Sequence, residues 1–330
     1  MICRNVGYQG GFMLMLPLVA WMFPIGIMVL GTRAVSGQNY PDKPIRVLTT
    51  TVGGPNDLAS RLIADGIVSS LGQRMIIENR AIIGVEITAK APPDGYTLLH
   101  YTNVLWLMPL FRDGVPWDPV KDFAPITLTM RQPNIVVVHP SLPVKSIKDL
   151  IALAKAKSGE LNYASSSTGA TNHVAVELFK AMAGVNIVRI NYKGGGPAVN
   201  DLLAGQVHVM FGSAGVVAPH TKTGRLRALA VTSAEPTALA PGLPTVAAAG
   251  LPGYESSQLS GMLAPAKTPA AIVNRLNQEI MRVLQRPESK DRFLSYGIEA
   301  IPGSPAEFAA TIKSEMSKMD KVIKDANLRE

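Results

Sequence analysis

The chain is nearly without cysteine. Cys3 is the only one among 330 residues, and it precedes a long apolar run. The rest of the chain therefore has no disulfide, no thiolate metal site and no lipidated cysteine just after that run. Charge is scarce as well. Charged residues make up 17%, below the usual quarter, which argues against disorder. The net charge is +8, yet Lys and Arg are scattered and form no basic stripe, so no nucleic-acid partner is implied.

Catalytic signatures are missing too. No Gly-x-Ser-x-Gly elbow presents a nucleophile. With five histidines and no His-Glu-x-x-His motif, a zinc site has no basis, although His173 and Glu177 are four apart. Gly53-Gly54-Pro55-Asn56-Asp57 lacks the Gly-Lys-Ser/Thr ending of a phosphate loop. Gly194-Gly195-Gly196 lacks dinucleotide-site spacing. The sequence thus implies no cofactor, no metal and no catalysis. The rival reading, an α/β hydrolase or transferase, would use Ser165 with His173.

What is present is a chain 47% hydrophobic, with 29 Gly and 25 Pro, long enough for two domains with their own cores. Arg4 precedes an apolar stretch from Gly10 to Leu30, and the small residues Ala34, Ser36 and Gly37 follow. This is the layout of a signal peptide over residues 1–37, cleaved before Gln38. The run is also long enough to stay as a membrane anchor, but Pro17 and Pro24 and the small-residue boundary favour cleavage. Removing it leaves 30 basic residues against 24 acids, a charge of +6.

Beyond the leader, strands alternate with helices. Ile45–Thr51 reads as a strand that ends at the 53–57 loop, and Leu58, Leu62, Ile63 and Ile67 form a helical face. Short strands follow at 75–78, 96–99, 123–128 and 135–138. The second half repeats the grammar with strands at 161–164, 188–191, 207–211 and 226–231. Residues 236–252 read as a loop, and amphipathic helices are predicted over 270–284 and 305–326. The pattern predicts an α/β architecture with mainly parallel sheets.

Residues 162–173 are the most informative stretch. A strand end leads through small hydroxyl residues into a helix marked by Val174, Leu178, Met182 and Val185. Ser, Thr and Asn here are candidate N-caps, and a helix start poor in bulky side chains suits an anion such as a carboxylate. Gly-containing turns at 53–57, 165–172 and 193–197 all follow strand ends, where ligands bind in open α/β sheets. Their placement suggests a cleft between two lobes. Asp57 reads either as the cap of the helix after its loop, the commoner role, or as a residue that orients the loop around the ligand, and the two roles are compatible.

Ordered motifs support a family resemblance over the whole mature length. They include Tyr40-Pro41-Asp42-Lys43-Pro44-Ile45, Gly53-Gly54-Pro55-Asn56-Asp57, Glu78-Asn79-Arg80 and Pro93-Asp94-Gly95-Tyr96-Thr97-Leu98-Leu99. Asp122-Phe123-Ala124-Pro125, Asn162-Tyr163-Ala164-Ser165, Asn172-His173 and Tyr192-Lys193-Gly194-Gly195-Gly196-Pro197-Ala198 follow. Leu226 to Thr232, Pro244-Thr245-Val246 and Gly250 to Glu255 complete the set. The chain resembles the solute-binding proteins of the tripartite tricarboxylate transporter family, the Bug or TctC-like group.

That resemblance implies a two-lobed periplasmic-binding-protein fold of type II-like, flytrap form, each lobe a mainly parallel sheet flanked by helices. Lobe one would comprise 38–133 and 233–330, and lobe two 134–232. It implies a periplasmic receptor that captures a small carboxylate for membrane permease subunits or a sensor, acting as a monomer without catalysis. The ligand would bridge Gly53, Gly54, Pro55, Asn56 and Asp57 on one lobe to the other. There it would meet Ser165, Ser166, Thr168, Gly169, Thr171 and Asn172, with Tyr192, Lys193, Gly194 and Gly195 at the rim. Two departures stand out. Ala81-Ile82-Ile83-Gly84-Val85 replaces a glycine-rich loop of the family, and His208 stands where an acid is frequent.

Overall fold

The computed structural model describes residues 40–166, 170–325 and 329. The leader read from residues 1–37 lies outside them, as do Thr168 and Gly169. In chain order the elements are β1 (Ile45–Thr49), α1 (Pro55–Leu71), β2 (Met75–Asn79), α2 (Ile83–Ala89), β3 (Thr97–Thr102), α3 (Val104–Phe111) and β4 (Phe123–Val138). There follow α4 (Ile147–Ala156), β5 (Asn162–Ser165), α5 (Thr171–Ala183), β6 (Val188–Asn191), α6 (Gly195–Leu203), β7 (Val209–Ser213), α7 (Ala214–Lys222) and β8 (Arg227–Val231). The chain closes with β9 (Ser257–Pro265), α8 (Ala270–Gln285), α9 (Pro287–Ser295), β10 (Glu299–Ala300) and α10 (Pro305–Asp325).

Local chemistry accounts for many of the boundaries. Pro55 begins α1, where its missing N–H costs nothing. Gly72 ends that helix in a left-handed conformation at φ 76° and donates its N–H to the Val68 carbonyl. Gly184 ends α5 in the same way at φ 61°, which leaves the expected Val185 beyond the helix. On α8 the buried Ile272, Val273, Leu276, Ile280, Val283 and Leu284 form one apolar stripe.

The strand order is β2-β1-β3-β9-β4-β7-β5-β6, with β8 and β10 also paired to β4. Parallel pairing joins β1 to β2 and β3, and β5 to β6 and β7. The centre differs from the expected mainly parallel sheets. There β9 runs antiparallel to β3, and β4 runs antiparallel to β7, β8, β9 and β10. Two strands expected at 123–128 and 135–138 are one 16-residue strand, β4. Proline cannot donate to a ladder. The sheet places Pro125 beside a register shift and Pro133 at the last pair with β9.

Register positions the strand ends. Thr102 at the carboxyl end of β3 pairs with Ser260, which pairs with Met130 of β4. At the carboxyl end of β7, Ser213 pairs with Asn134. The two parallel sets therefore direct their carboxyl ends toward each other along β4. Only residues 131–133 separate the two levels, so the gap is on the order of 13 Å at about 3.3 Å per residue.

Buried side chains form three clusters. One joins α3, α5 and α10 through Trp106, Phe179, Phe308 and Ile312. A second packs α1 and α8 against β1 and β3, and a third packs α6 and α7 against β7.

Candidate functional site

A cavity of about 260 Å³ lies at the carboxyl ends of the β5 and β7 strands. Its wall contains Ser166, Ala170, Thr171 and Asn172 around the start of α5, and Gly195 at the start of α6. It also contains Gly212 and Ser213 of β7, Val216 of α7, Gln132 and Asn134 of β4, and Gln258 of β9. None of these residues carries a charge. Ser166, Thr171, Asn172 and Gly195 are thus brought together at one wall.

Three helices begin at this wall. Their N-cap residues are Ala170, Gly194 and Ser213, and none accepts a capping hydrogen bond through its side chain. Helix starts with uncapped N–H groups carry partial positive charge and suit an anion. Asn134 adds a side-chain donor. The residue is 5% exposed, and its Nδ2 has no partner among the described residues. An unused buried donor costs stability unless something occupies it.

The surrounding hydrogen bonds hold these groups in place. Asn172 Oδ1 accepts the Ser166 hydroxyl at 2.7 Å, and Thr171 Oγ1 donates to Gln258 Oε1 at 3.0 Å. The Arg189 guanidinium donates to the Ser166 carbonyl at 2.8 Å and to Asn191 Oδ1 at 3.3 Å. Tyr192 donates its N–H to the Ser165 carbonyl at 2.8 Å, while its hydroxyl donates to Asp201 on α6 at 2.8 Å. Burial and that carboxylate push the Tyr192 phenol up to about 12. Neither Tyr192 nor Lys193 belongs to the cavity wall.

The 53–57 loop lies at the end of β1 and does not contribute to this wall. Gly53 sits at φ 76° and gives its N–H to Asp57 Oδ2 at 2.9 Å, so that donor is spent inside the loop. Asp57 also accepts from Asn79 and Arg61. Its burial opposes charge, but the bonds from Asn79, Gly53 and Arg61 hold its carboxyl below the usual range. Asp57 thus orients the loop as expected, although the N-cap itself is Gly54. Asn56 is only 2% exposed and donates to Thr49 Oγ1 and the His100 carbonyl. Its amide nitrogen is a bracket in the core.

Both departures from the family pattern have a location. His208 precedes β7 and meets Asn162, at the amino end of β5 and thus the end opposite Ser166. In the 81–85 segment, Ala81 adopts φ 45° and shares the Thr49 carbonyl with Arg80. Ile83 is 61% exposed there, and Val52 on the neighbouring loop is 75% exposed.

The family model described as the tripartite tricarboxylate transporter family receptor matches residues 59–328. The chain belongs to this family. The receptor is 35% identical over 303 residues to a UPF0065 protein in the tcbD-tcbE intergenic region of Pseudomonas sp. strain P51, covering 90% of each chain. It is 33% identical to protein BugT of Bordetella pertussis, covering 89% of this chain and 93% of that one. Among solved structures, R. palustris Rpa4515 with adipate is 35% identical with a TM-score of 0.73, covering 87% of this chain and 98% of that one. MatC from Rhodopseudomonas palustris with bound malate is 26% identical with a TM-score of 0.68, covering 86% and 100%.

Family membership gives no support to the hydrolase reading. In this receptor Ser165 is fully buried and its hydroxyl donates to the Ser166 carbonyl at 3.0 Å. His173 is buried, and desolvation, with Arg189 nearby, pulls its imidazole down to about 4. Glu177 accepts from Tyr163 at 2.6 Å and from Lys180 at 2.9 Å.

Sequence reasoning missed Gln132, Asn134, Ser213 and Gln258. Asn134 carried a usable signal, because it is a lone amide between Pro133 and the apolar run Ile135 to Val138. Gln258 carried none, since β9 was read as no element at all.

Proposed function

We propose that the protein is a periplasmic receptor that captures a small carboxylate between two lobes, 38–133 with 233–330 and 134–232. The leader at 1–37 directs export, and the receptor works as a monomer that hands its ligand to a membrane permease or a sensor. One observation carries the ligand class. Three uncapped helix starts and the unpartnered Asn134 amide surround a cavity whose wall has no charged residue among the described residues. Such a site stabilises an anion through backbone dipoles without an arginine clamp. The adipate and malate bound by the two structural relatives are in keeping with this class.

In this reading the opposed strand ends are the two faces of the cleft, and residues 131–134 of β4 form part of the hinge. The 53–57 loop closes over the ligand from the first lobe, and the exposed Val52 and Ile83 face its hydrocarbon part. Closure is then the state that a permease reads.

The test is a thermal-shift and calorimetric titration of the purified protein with adipate, malate and their neutral diamides. A ligand at about 100 times its dissociation constant adds roughly 2.7 kcal/mol to the folded state. Gly54→Leu probes the loop cleanly. A Cβ there meets nothing closer than the Thr51 carbonyl at 3.5 Å, and no positive φ is required. Carboxylate affinity should fall about tenfold or more in that variant with little change in melting temperature. A shift with the diamides and none with the acids would overturn the ligand class. Unchanged affinity in Gly54→Leu would overturn the closing role of the loop.

A further inference from the structure

A second and larger cavity, about 430 Å³, lies between α3, α5, α10 and residues 255–259. Strand alternation divides the β9 residues between the two cavities, and Thr171 at the start of α5 lines both. Gln258 of β9 belongs to one wall, and Ser257 and Leu259 to the other. Apolar side chains from three elements line it, including Leu107 of α3, Val174 and Leu178 of α5, and Met319 of α10. Polar groups share the wall. Glu315 Oε2 accepts the Trp106 indole N–H at 2.7 Å. The Ser257 hydroxyl is buried, with the residue 5% exposed, and has no partner among the described residues.

We propose that this cavity is a second ligand site and takes a small organic amine, its ammonium against Glu315 and Ser257 and its hydrocarbon body along Val174, Leu178 and Leu107. Charge decides the class. The ionisable residues of the wall are Glu255, Glu315 and Lys318, two acids against one base. Lys318 already donates its ammonium to the Glu255 carbonyl at 2.7 Å. With both carboxyls ionised the wall carries a net negative charge, and the Ser257 hydroxyl can accept from a bound ammonium. A mixed wall of this size suits a small molecule with one polar end. The assignment is independent of the carboxylate reading of the other cavity.

Protonation supplies a signature. Burial pushes the Glu315 carboxyl up to about 7. The Trp106 indole, Lys318 and the Asn103 amide work against that rise, and the charge of Glu255 adds to it. An ammonium binds the ionised carboxyl, so binding expels a proton and strengthens as pH rises through 7.

The experiment is calorimetric titration of the purified protein with phenethylammonium, using 3-phenylpropionate as the anionic counterpart. One-to-one saturable binding of the amine is expected at pH 8. It should weaken about tenfold at pH 6, because the ionised fraction of Glu315 falls by that factor across a pKa near 7. Glu315→Gln should weaken it at least tenfold at pH 8 and remove the pH dependence. Ser257→Ala removes a hydroxyl that no described residue uses, so it keeps the fold and should cost several-fold in affinity. It also serves if the Glu315 variant does not fold. Absence of saturable amine binding, equal affinity for 3-phenylpropionate, or indifference to both substitutions would overturn the proposal.

Discussion

Asn134 and Asn56 are both buried asparagines with one amide atom lacking a partner, and they do opposite jobs. Asn56 spends both amide hydrogens on Thr49 and His100, within a buried network that continues through Ser60 and Thr129. Asn134 leaves its amide nitrogen unused at the wall of the anion cavity. Asn134→Ala should therefore leave the urea midpoint nearly unchanged but weaken carboxylate binding by about 1.5–3 kcal/mol, the usual worth of a hydrogen bond to a charged group. Calorimetry with adipate or malate measures the second quantity and a urea melt the first. Equal affinities in variant and parent would remove Asn134 from the site. The sequence placed Asn56 on the ligand side because spacing reports only neighbours along the chain. Its partners Thr49 and His100, and Thr129 and Ser260 beyond them, converge through strand pairing, which no local pattern records.

At the level of elements, the helix starts were legible and β9 was not. Small residues after strand ends, at 165–172 and 193–197, announced α5 and α6 because such turns have few alternatives. The β9 sequence Ser257-Gln258-Leu259-Ser260-Gly261-Met262-Leu263-Ala264-Pro265 hides a strand, since Ser and Gly are poor strand formers and the apolar residues do not alternate. Its composition makes sense only beside α10. A Cβ built on Gly261 would stand 2.3 Å from the Phe308 ring and 2.8 Å from the Thr127 carbonyl. That close approach lets Phe308 pack edge-on against Trp106 with ring centroids 5.7 Å apart. Gly261→Ala should destabilise the protein by about 1–3 kcal/mol, the range for overpacking a core, and a backbone carbonyl as second obstacle favours the upper end. A urea melt unchanged within about 0.5 kcal/mol would show that α10 can shift freely. In that case the second cavity, which α10 walls, would not have a fixed shape.

Over the whole molecule, two buried groups make stability respond to pH in opposite directions. His100 lies in the core of the first strand set, where desolvation pulls its imidazole down to about 3. The unfolded chain, with an ordinary histidine near 6.5, then binds more protons, so His100 makes stability fall as pH drops from about 6.5 toward 3. Glu315 has the contrary sign. Its carboxyl is raised to about 7 from an ordinary 4.5, so its contribution is complete below 4.5 and lost as pH rises to 7. At about 1.4 kcal/mol per pH unit of separation, the His100 term is of order 5 kcal/mol and the Glu315 term of order 3 kcal/mol, with water access to the cavity reducing the second. Between pH 4.5 and 6.5 the two oppose each other. His173, drawn down to about 4, acts with His100, whereas Asp57 and Glu78, held below the ordinary carboxylate range, act mainly at lower pH. Urea midpoints of the parent should therefore rise with pH across that window with about the slope of one group, since two histidines act against one carboxyl. Glu315→Gln should unmask the histidine terms and give midpoints that rise steeply with pH. His100→Asn should leave a flatter curve that bends downward toward pH 7. Parallel curves for all three proteins would mean that neither group is held away from its ordinary protonation. The amine site would then lose its pH signature while keeping its geometry, so this measurement also separates the electrostatics of α10 from its packing.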